Sequence, residues 1–228
     1  MNVADPHPPP NPKARVLLVE DHPLFREGLA FLVNNEPDMQ VCGMADNIAD
    51  ALALVRSGLA QIVVCDITLK GPSGLELIKE IVAQNVNVPI LVLSTYEESL
   101  YAERVLRAGA RGYISKDESP EQVISAIRQV LHGRTYLSSQ MTAQILRSFS
   151  SGPSRVTGIA GLTDRELEVF QLIGRGLTTR EIGMKLSLGP STVETYRSRI
   201  KAKLNLENAT QLSHEAVRWV QSSQVSAA

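Results

Sequence analysis

A doubly wound α/β sheet of five parallel strands, a (βα)5 unit, followed by a small all-α domain is the fold class this sequence predicts. Three observations predict it. Five short aliphatic runs, apolar on both faces as buried parallel strands must be, are spread through the first half of the chain. Segments of helical period lie between them. Beyond Gly133 the strand signal stops, and only helical pieces follow.

Residues 1–13 are rich in proline, which removes backbone donors and offers nothing to bury, so a disordered tail is expected. The tail holds neither an apolar h-region nor a basic leader, so no secretory signal is expected. Ala14-Arg15-Val16-Leu17-Leu18-Val19 is the first strand. Met39-Gln40-Val41-Cys42-Gly43, Gln61-Ile62-Val63-Val64-Cys65, Pro89-Ile90-Leu91-Val92-Leu93 and Gly112-Tyr113-Ile114 are the others. Among the helices, Ala51, Leu52, Val55 and Leu59 make one apolar face, and Leu75, Ile78 and Val82 a second. Val123, Ile124, Ile127, Val130 and Leu131 make a third, which Gly133 terminates. The sheet domain is therefore placed at 14–132. Residues 133–160 read as a linker with a helix over 138–149, because seven of the eleven residues in 148–158 are Ser, Gly or Pro. Residues 161–228 carry four short helices around a small core.

Composition narrows the function classes. The chain is 43% hydrophobic and 21% charged, ordinary for a soluble protein, and no apolar run approaches a bilayer-spanning length, so no membrane is expected among its partners. Cys42 and Cys65 are too few for a disulfide framework and lack metal-ligand spacing, so two free thiols in a reducing cytoplasm are expected. Residues 1–154 hold 13 Lys and Arg against 17 Asp and Glu, whereas residues 155–228 hold 10 against 7. That asymmetry has the sign of an acidic first domain and a basic, nucleic-acid-binding second one.

In an open parallel sheet, ligands bind beyond the carboxyl ends of the strands. The first strand ends in Glu20-Asp21, the third in Asp66 and the fourth in Ser94, while the fifth reaches Lys116. Clustered carboxylates repel unless a cation sits among them, and hard oxygen donors favour Mg²⁺. The first turn, Glu20-Asp21-His22-Pro23, has no G-x-G-x-x-G, which disfavours a dinucleotide site. A haloacid-dehalogenase-type phosphatase would want a second aspartate where Thr68 stands. His22, beside the acids, reads as a helix-start residue rather than a donor.

These strings resemble a known family. Val19-Glu20-Asp21-His22-Pro23-Leu24-Phe25, Cys65-Asp66-Ile67-Thr68-Leu69 with Gly74-Leu75-Glu76-Leu77, Leu93-Ser94 and Gly109-Ala110-Arg111-Gly112-Tyr113-Ile114-Ser115-Lys116 are similar to the receiver domain of two-component response regulators. The resemblance implies that Asp66 accepts a phosphoryl group from a sensor histidine kinase. It implies that Glu20, Asp21, Asp66 and the backbone carbonyl of Thr68 hold Mg²⁺. Ser94 and Lys116 would bind the phosphoryl oxygens, and Tyr113 would be an aromatic switch. The sequence departs from the pattern at Lys70 and at Asp117, both positions where proline is common; the second puts a cis peptide after Lys116 in doubt.

In the second domain, Thr163 and Glu166 form a capping-box pattern at the head of a helix carrying Leu167, Phe170, Ile173 and Leu177. Thr178 or Thr179 starts a second helix with Ile182 and Leu186. Leu188-Gly189-Pro190 is a tight break, and a third helix runs Pro190 to Leu204 with Val193, Ile200 and Leu204 inward. Arg197, Arg199, Lys201 and Lys203 decorate the rest. Helix, turn and basic helix suggest either DNA recognition or a plain bundle with solvated charges. The string Ser191-Thr192-Val193-Glu194-Thr195-Tyr196-Arg197-Ser198-Arg199-Ile200, with Leu162, Glu166 and Gly176 before it, resembles the LuxR-type helix-turn-helix. Receiver plus this module is the NarL/FixJ architecture. It implies a DNA-binding transcription regulator, not an enzyme, that binds double-stranded DNA and forms a homodimer when phosphorylated.

Glu194, Thr195 and Ser198 are the outward positions expected to meet base edges, and Arg199, Lys201 and Lys203 to meet phosphates. Arg197 fits either role. Glu194 would accept from a cytosine amino group, or else act as a charge near a helix N-terminus. A last helix over 209–220 sets Leu212, Ala216 and Val220 on one stripe flanked by Trp219, either as a dimer face or to complete the small core. Two other functions remain compatible with the residues: a receiver that signals by binding protein, and a Mg²⁺-dependent phosphohydrolase. A gel shift with salt titration and a phosphoester turnover assay separate them.

Overall fold

A computed structural model describes residues 12–69, 73–95, 98–150 and 158–225. The expected tail at 1–13 and the loop at 148–158 fall largely outside the described residues.

The first domain alternates β1 (Ala14–Val19), α1 (Pro23–Asn34), β2 (Met39–Ala45), α2 (Ile48–Arg56), β3 (Ile62–Cys65), α3 (Gly74–Ala83), β4 (Ile90–Ser94), α4 (Glu98–Ala108), β5 (Gly112–Ser115) and α5 (Pro120–Leu131). The five strands are parallel in the order β2-β1-β3-β4-β5. The order reverses between β1 and β3, which opens a crevice at the carboxyl ends of those two strands. Every residue of β3 and β4 is buried, which explains their unbroken aliphatic runs. One face packs α1 and α5 through Leu29, Val33, Ile124 and Ile127; the other packs α2, α3 and α4 through Leu52, Ile78 and Tyr101.

The structure corrects several details. In β2 the register slips between Val16 and Leu17 of its neighbour, so Cys42 is an extra, bulged residue. Leu59 lies beyond α2 and is exposed, and Val82 points outward from α3, whose core stripe is Leu75, Leu77, Ile78 and Ile81. No cis peptide occurs among the described residues, so the bond after Lys116 is trans.

After α5, Gly133 adopts a positive φ of 75°, and Tyr136 then bridges to Gly112 at the edge of β5. Helix α6 (Ser139–Ser150) packs on α4 through the buried Met141. The second domain comprises a 3₁₀ turn (Gly158–Gly161), α7 (Asp164–Gly174), α8 (Thr179–Leu186), α9 (Pro190–Leu204) and α10 (Ala209–Val225). Thr163 and Thr178 cap α7 and α8, each within a reciprocal capping box completed by Glu166 and Glu181. On α10, Leu212 and Ala216 are fully buried against α7, and Trp219 lies 5.4 Å from the Phe170 ring. A β-carbon at Gly174 would stand 2.3 Å from the Ala216 carbonyl oxygen, so α7 and α10 approach as closely as glycine permits. The Leu212–Ala216 stripe therefore completes the core, and its expected role as a dimer face is set aside.

The two domains touch through polar contacts. Asp164, the first residue of α7, pairs with Lys79 of α3 at 2.8 Å and Arg104 of α4 at 2.9 Å. Arg104 also donates to the Leu162 carbonyl at 2.9 Å, and the Tyr101 hydroxyl lies 3.4 Å from Gln171. Beside them Glu168 is buried on α7, paired with Arg165 at 2.7 Å. Among the described residues, no helix is long and apolar enough to cross a membrane.

Candidate phosphoacceptor site and nucleic-acid interface

The sheet brings Glu20, Asp21, Asp66, Ser94 and Lys116 to one edge. Backbone bonds continue the ladders into the loops: Glu20 N–H donates to Ala45, Asp66 N–H to Val19 at 2.9 Å and Lys116 N–H to Ser94 at 2.9 Å. Glu20, Asp21, Asp66 and Ser94 are all buried. The Lys116 ammonium donates to Asp66 Oδ2 at 2.8 Å and also to Glu20, while Asp66 Oδ1 accepts from the Thr68 N–H at 3.0 Å. Burial pushes the Asp66 carboxyl up to about 6; Lys116 opposes this, and the Glu20 charge adds to it. Burial works against the Lys116 ammonium too, but Asp66 and Glu20 more than offset it and hold its pKa above the usual value.

Three residues of this site carry roles the sequence did not disclose. Phe25 places its ring 4.5 Å beneath the Lys116 ammonium, and Arg26 donates to the Glu20 carbonyl at 2.6 Å. Gly74 starts α3 so close to β3 that a β-carbon there would stand 2.1 Å from the Asp66 carbonyl oxygen. The HPLFR string following the acid pair was the available signal for the first two. His22 is the N-cap of α1, ahead of Pro23, as its reading as a helix-start residue expected.

Glu20, Asp21, His22 and Asp66 each offer a ligand atom, and these lie within 4.8 Å of one another. Asp21 Oδ1 is buried without a hydrogen-bond partner. It lies 2.9 Å from His22 Nδ1, but the well-directed bond of that ring goes to Glu20 Oε1. An orphaned carboxylate oxygen among other carboxylates is the position a hard divalent cation satisfies, so the donor set fits Mg²⁺. Tyr113 is a fully buried residue of β5, and Ser94 closes β4.

On the second domain, Glu194, Thr195, Ser198 and Arg199 form the exposed face of α9, with Lys201 half-buried. Two residues differ from the expected roles. Lys203 donates to the buried Glu166 at 2.6 Å, and burial of that carboxylate is more than offset by Lys203 and Thr163, so its pKa lies below the usual value. Arg197 has only 15% of its side chain exposed and faces Glu194 at 3.6 Å. Glu194 Oε1 accepts from the Thr179 hydroxyl at 2.7 Å.

Residues 16–128 match the response regulator receiver domain, and residues 160–216 match the bacterial regulatory proteins of the luxR family. The response regulator UvrY of Escherichia coli K12 is 34% identical over 203 residues, covering 89% of this chain and 93% of that protein. The DNA-binding transcriptional activator DevR/DosR of Mycobacterium tuberculosis is 31% identical, covering 86% and 91%. A crystal structure of a LuxR-family two-component response regulator from Aurantimonas is 33% identical, with a TM-score of 0.56, covering 61% of this chain and 99% of that one. The metal-competent carboxylate edge lies in the first matched region and the helix-turn-helix in the second, and this chain belongs to the DNA-binding response regulators that join a receiver domain to a LuxR-type helix-turn-helix.

Proposed function

We propose that Asp66 accepts a phosphoryl group from a sensor histidine kinase, and that the acyl phosphate switches dimerisation and promoter binding. One observation carries the assignment. The buried Asp66 carboxylate is held by Lys116 on one oxygen and the Thr68 N–H on the other, beside an Asp21 oxygen that accepts no hydrogen bond. In the transfer, an Asp66 oxygen bonds to phosphorus while the P–N bond to the donor imidazole breaks. The electron pair leaves with the ring nitrogen. Mg²⁺, held by Glu20, Asp21, Asp66 and the Thr68 carbonyl, would supply charge neutralisation. Ser94 and Lys116 bind the phosphoryl oxygens, and Tyr113 responds as the switch residue; the backbone bond from Lys116 to Ser94 makes the two loops move together. The chain takes part in its own phosphorylation and dephosphorylation but is not a turnover enzyme, and it works in the cytoplasm.

Incubation with a small phosphodonor and Mg²⁺ is expected to add one phosphoryl mass. Asp66→Asn takes up none, and EDTA blocks uptake in the parent. Normal labelling of Asp66→Asn overturns the assignment.

On DNA, α9 lies in the major groove with Glu194, Thr195 and Ser198 towards base edges and Arg199 and Lys201 towards phosphates. The exposure of Glu194, Thr195, Ser198 and Arg199 supports this. Lys203 and Arg197 hold carboxylates of their own domain instead. One small module buries too little surface for tight specific binding, so two copies occupy half-sites about one helical turn apart. A one-to-one complex on a single half-site, seen by sedimentation, would refute the dimer.

A further inference from the structure

Glu194 has more than half of its side chain exposed, on a surface meant for a polyanion, yet its carboxylate is not left to itself. Thr179, the first residue of α8, donates its hydroxyl to Glu194 Oε1 at 2.7 Å, and the Arg197 guanidinium faces the same oxygen at 3.6 Å. Both ends of the Thr179 contact are pinned. The capping box formed by Thr178 and Glu181 fixes the start of α8, with the Thr178 hydroxyl and N–H both on Glu181. The turn into α9 is tight: a β-carbon at Gly183 would stand 2.7 Å from the Leu188 carbonyl oxygen. The separation of Thr179 from Glu194 is therefore set by the backbone of the helix-turn-helix.

We infer that Thr179 is a positioning residue for base reading, which with Arg197 holds one oxygen of Glu194 so that the other alone is presented to a cytosine amino group. The inference rests on the reading role given to Glu194 above. Cytosine offers a single N4–H₂ donor in the major groove, so one acceptor oxygen suffices. Guanine and thymine present acceptors there and repel a fixed carboxylate, and adenine, whose N7 acceptor stands beside its amino group, is a poorer partner than cytosine for a single fixed oxygen. Arg197 offsets the charge that would otherwise face the phosphates. A free glutamate would lose rotamer freedom on each encounter, whereas one held by Thr179 has lost it already.

The test uses the full chain, with Mg²⁺ and a small acyl phosphate. The preferred duplex is selected from a random pool, and competition with single-base variants then measures discrimination at each position. Glu194→Ala should flatten preference at one base pair. Thr179→Val should cut cytosine preference at that same pair about 3- to 10-fold, in keeping with loss of a hydrogen bond to a charged group. Thr179→Ser, which keeps the hydroxyl, should restore it to within about twofold, and Thr179→Val should add nothing in a Glu194→Ala background. Full discrimination by Thr179→Val overturns the positioning role. So does equal weakening on every sequence, which would make the contact a staple between α8 and α9. Thr179→Ala supplies the same readout should the valine variant fold poorly. An unchanged motif with Glu194→Ala instead overturns the reading role beneath.

Discussion

At Asp66 two influences oppose one another: burial pushes the carboxyl up to about 6, while Lys116 at 2.8 Å draws it back. The lysine is a single ammonium shared between Asp66 and Glu20, so a phosphoryl group on Asp66 gives it a stronger acceptor to follow. Lys116→Ala should still take up some label from a small phosphodonor, because the acids remain, but the labelled variant should show no gain in DNA affinity. A gel shift with and without phosphodonor reads this directly. Gly74 constrains the same site through space alone. With a β-carbon due 2.1 Å from the Asp66 carbonyl oxygen, Gly74→Ala must push α3 away from β3. The expected cost is about 1–3 kcal/mol, visible as a lower melting temperature, together with slower labelling.

Among the elements, α9 commits one of its cations, Lys203, to a carboxylate of its own domain. Lys203→Ala strips the buried Glu166 of its ammonium and should destabilise the second domain by about 1–3 kcal/mol in a thermal melt. Lys201→Ala should leave the melt nearly unchanged and reduce the salt slope of DNA binding by about 0.9. The sequence could not separate these lysines, since both lie on one basic helix and the partner of Lys203 sits 37 residues away. Strands β3 and β4 were legible because burial on both faces leaves an aliphatic run with no alternative reading, whereas β2, at the sheet edge, is only partly buried. Helix α4 was not, because its buried set is Tyr101, Ala102 and Val105, interleaved with Glu103 and Arg104. The apolar face of α1 escaped for a related reason: Leu24 and Phe31 face solvent and blur its period. The acid edge was fully readable as strand-end chemistry. The unbonded Asp21 oxygen depends on distances that no spacing encodes, and the HPLFR string marks Phe25 without disclosing that its ring lies under Lys116.

Across the whole molecule, the contact between α3, α4 and α7 places a buried carboxylate where its charge is unwelcome. Burial pushes Glu168 up to about 7; Arg165 opposes this, and Glu76 and Asp164 add to it. The folded state thus holds the proton more tightly than the unfolded chain. Between the ordinary glutamate value of about 4.3 and about 7 it binds the greater number of protons, so this group's contribution to stability falls as pH rises through that window. Glu168→Gln should melt like the parent near pH 4 and above it by pH 8, with a gap of up to about 3 kcal/mol. Arg104→Ala removes the bonds to Asp164 and Leu162 together, and small-angle scattering should report a larger radius of gyration for the unphosphorylated chain.

The bond between Lys203 and Glu166 reaches further than stability. Glu166 also closes the capping box on Thr163, next to the Asp164 that meets Lys79 and Arg104. One turn of α7 is therefore riveted to the reading helix on one side and rests against the receiver on the other. A change in the receiver is therefore expected to act on the second domain as a unit and to leave the shape of its α9 surface unchanged. Regulation in such a machine governs when and how firmly a promoter is held, while the text it recognises stays constant. Motifs selected with and without phosphodonor should accordingly be the same, differing only in the protein concentration needed to recover them.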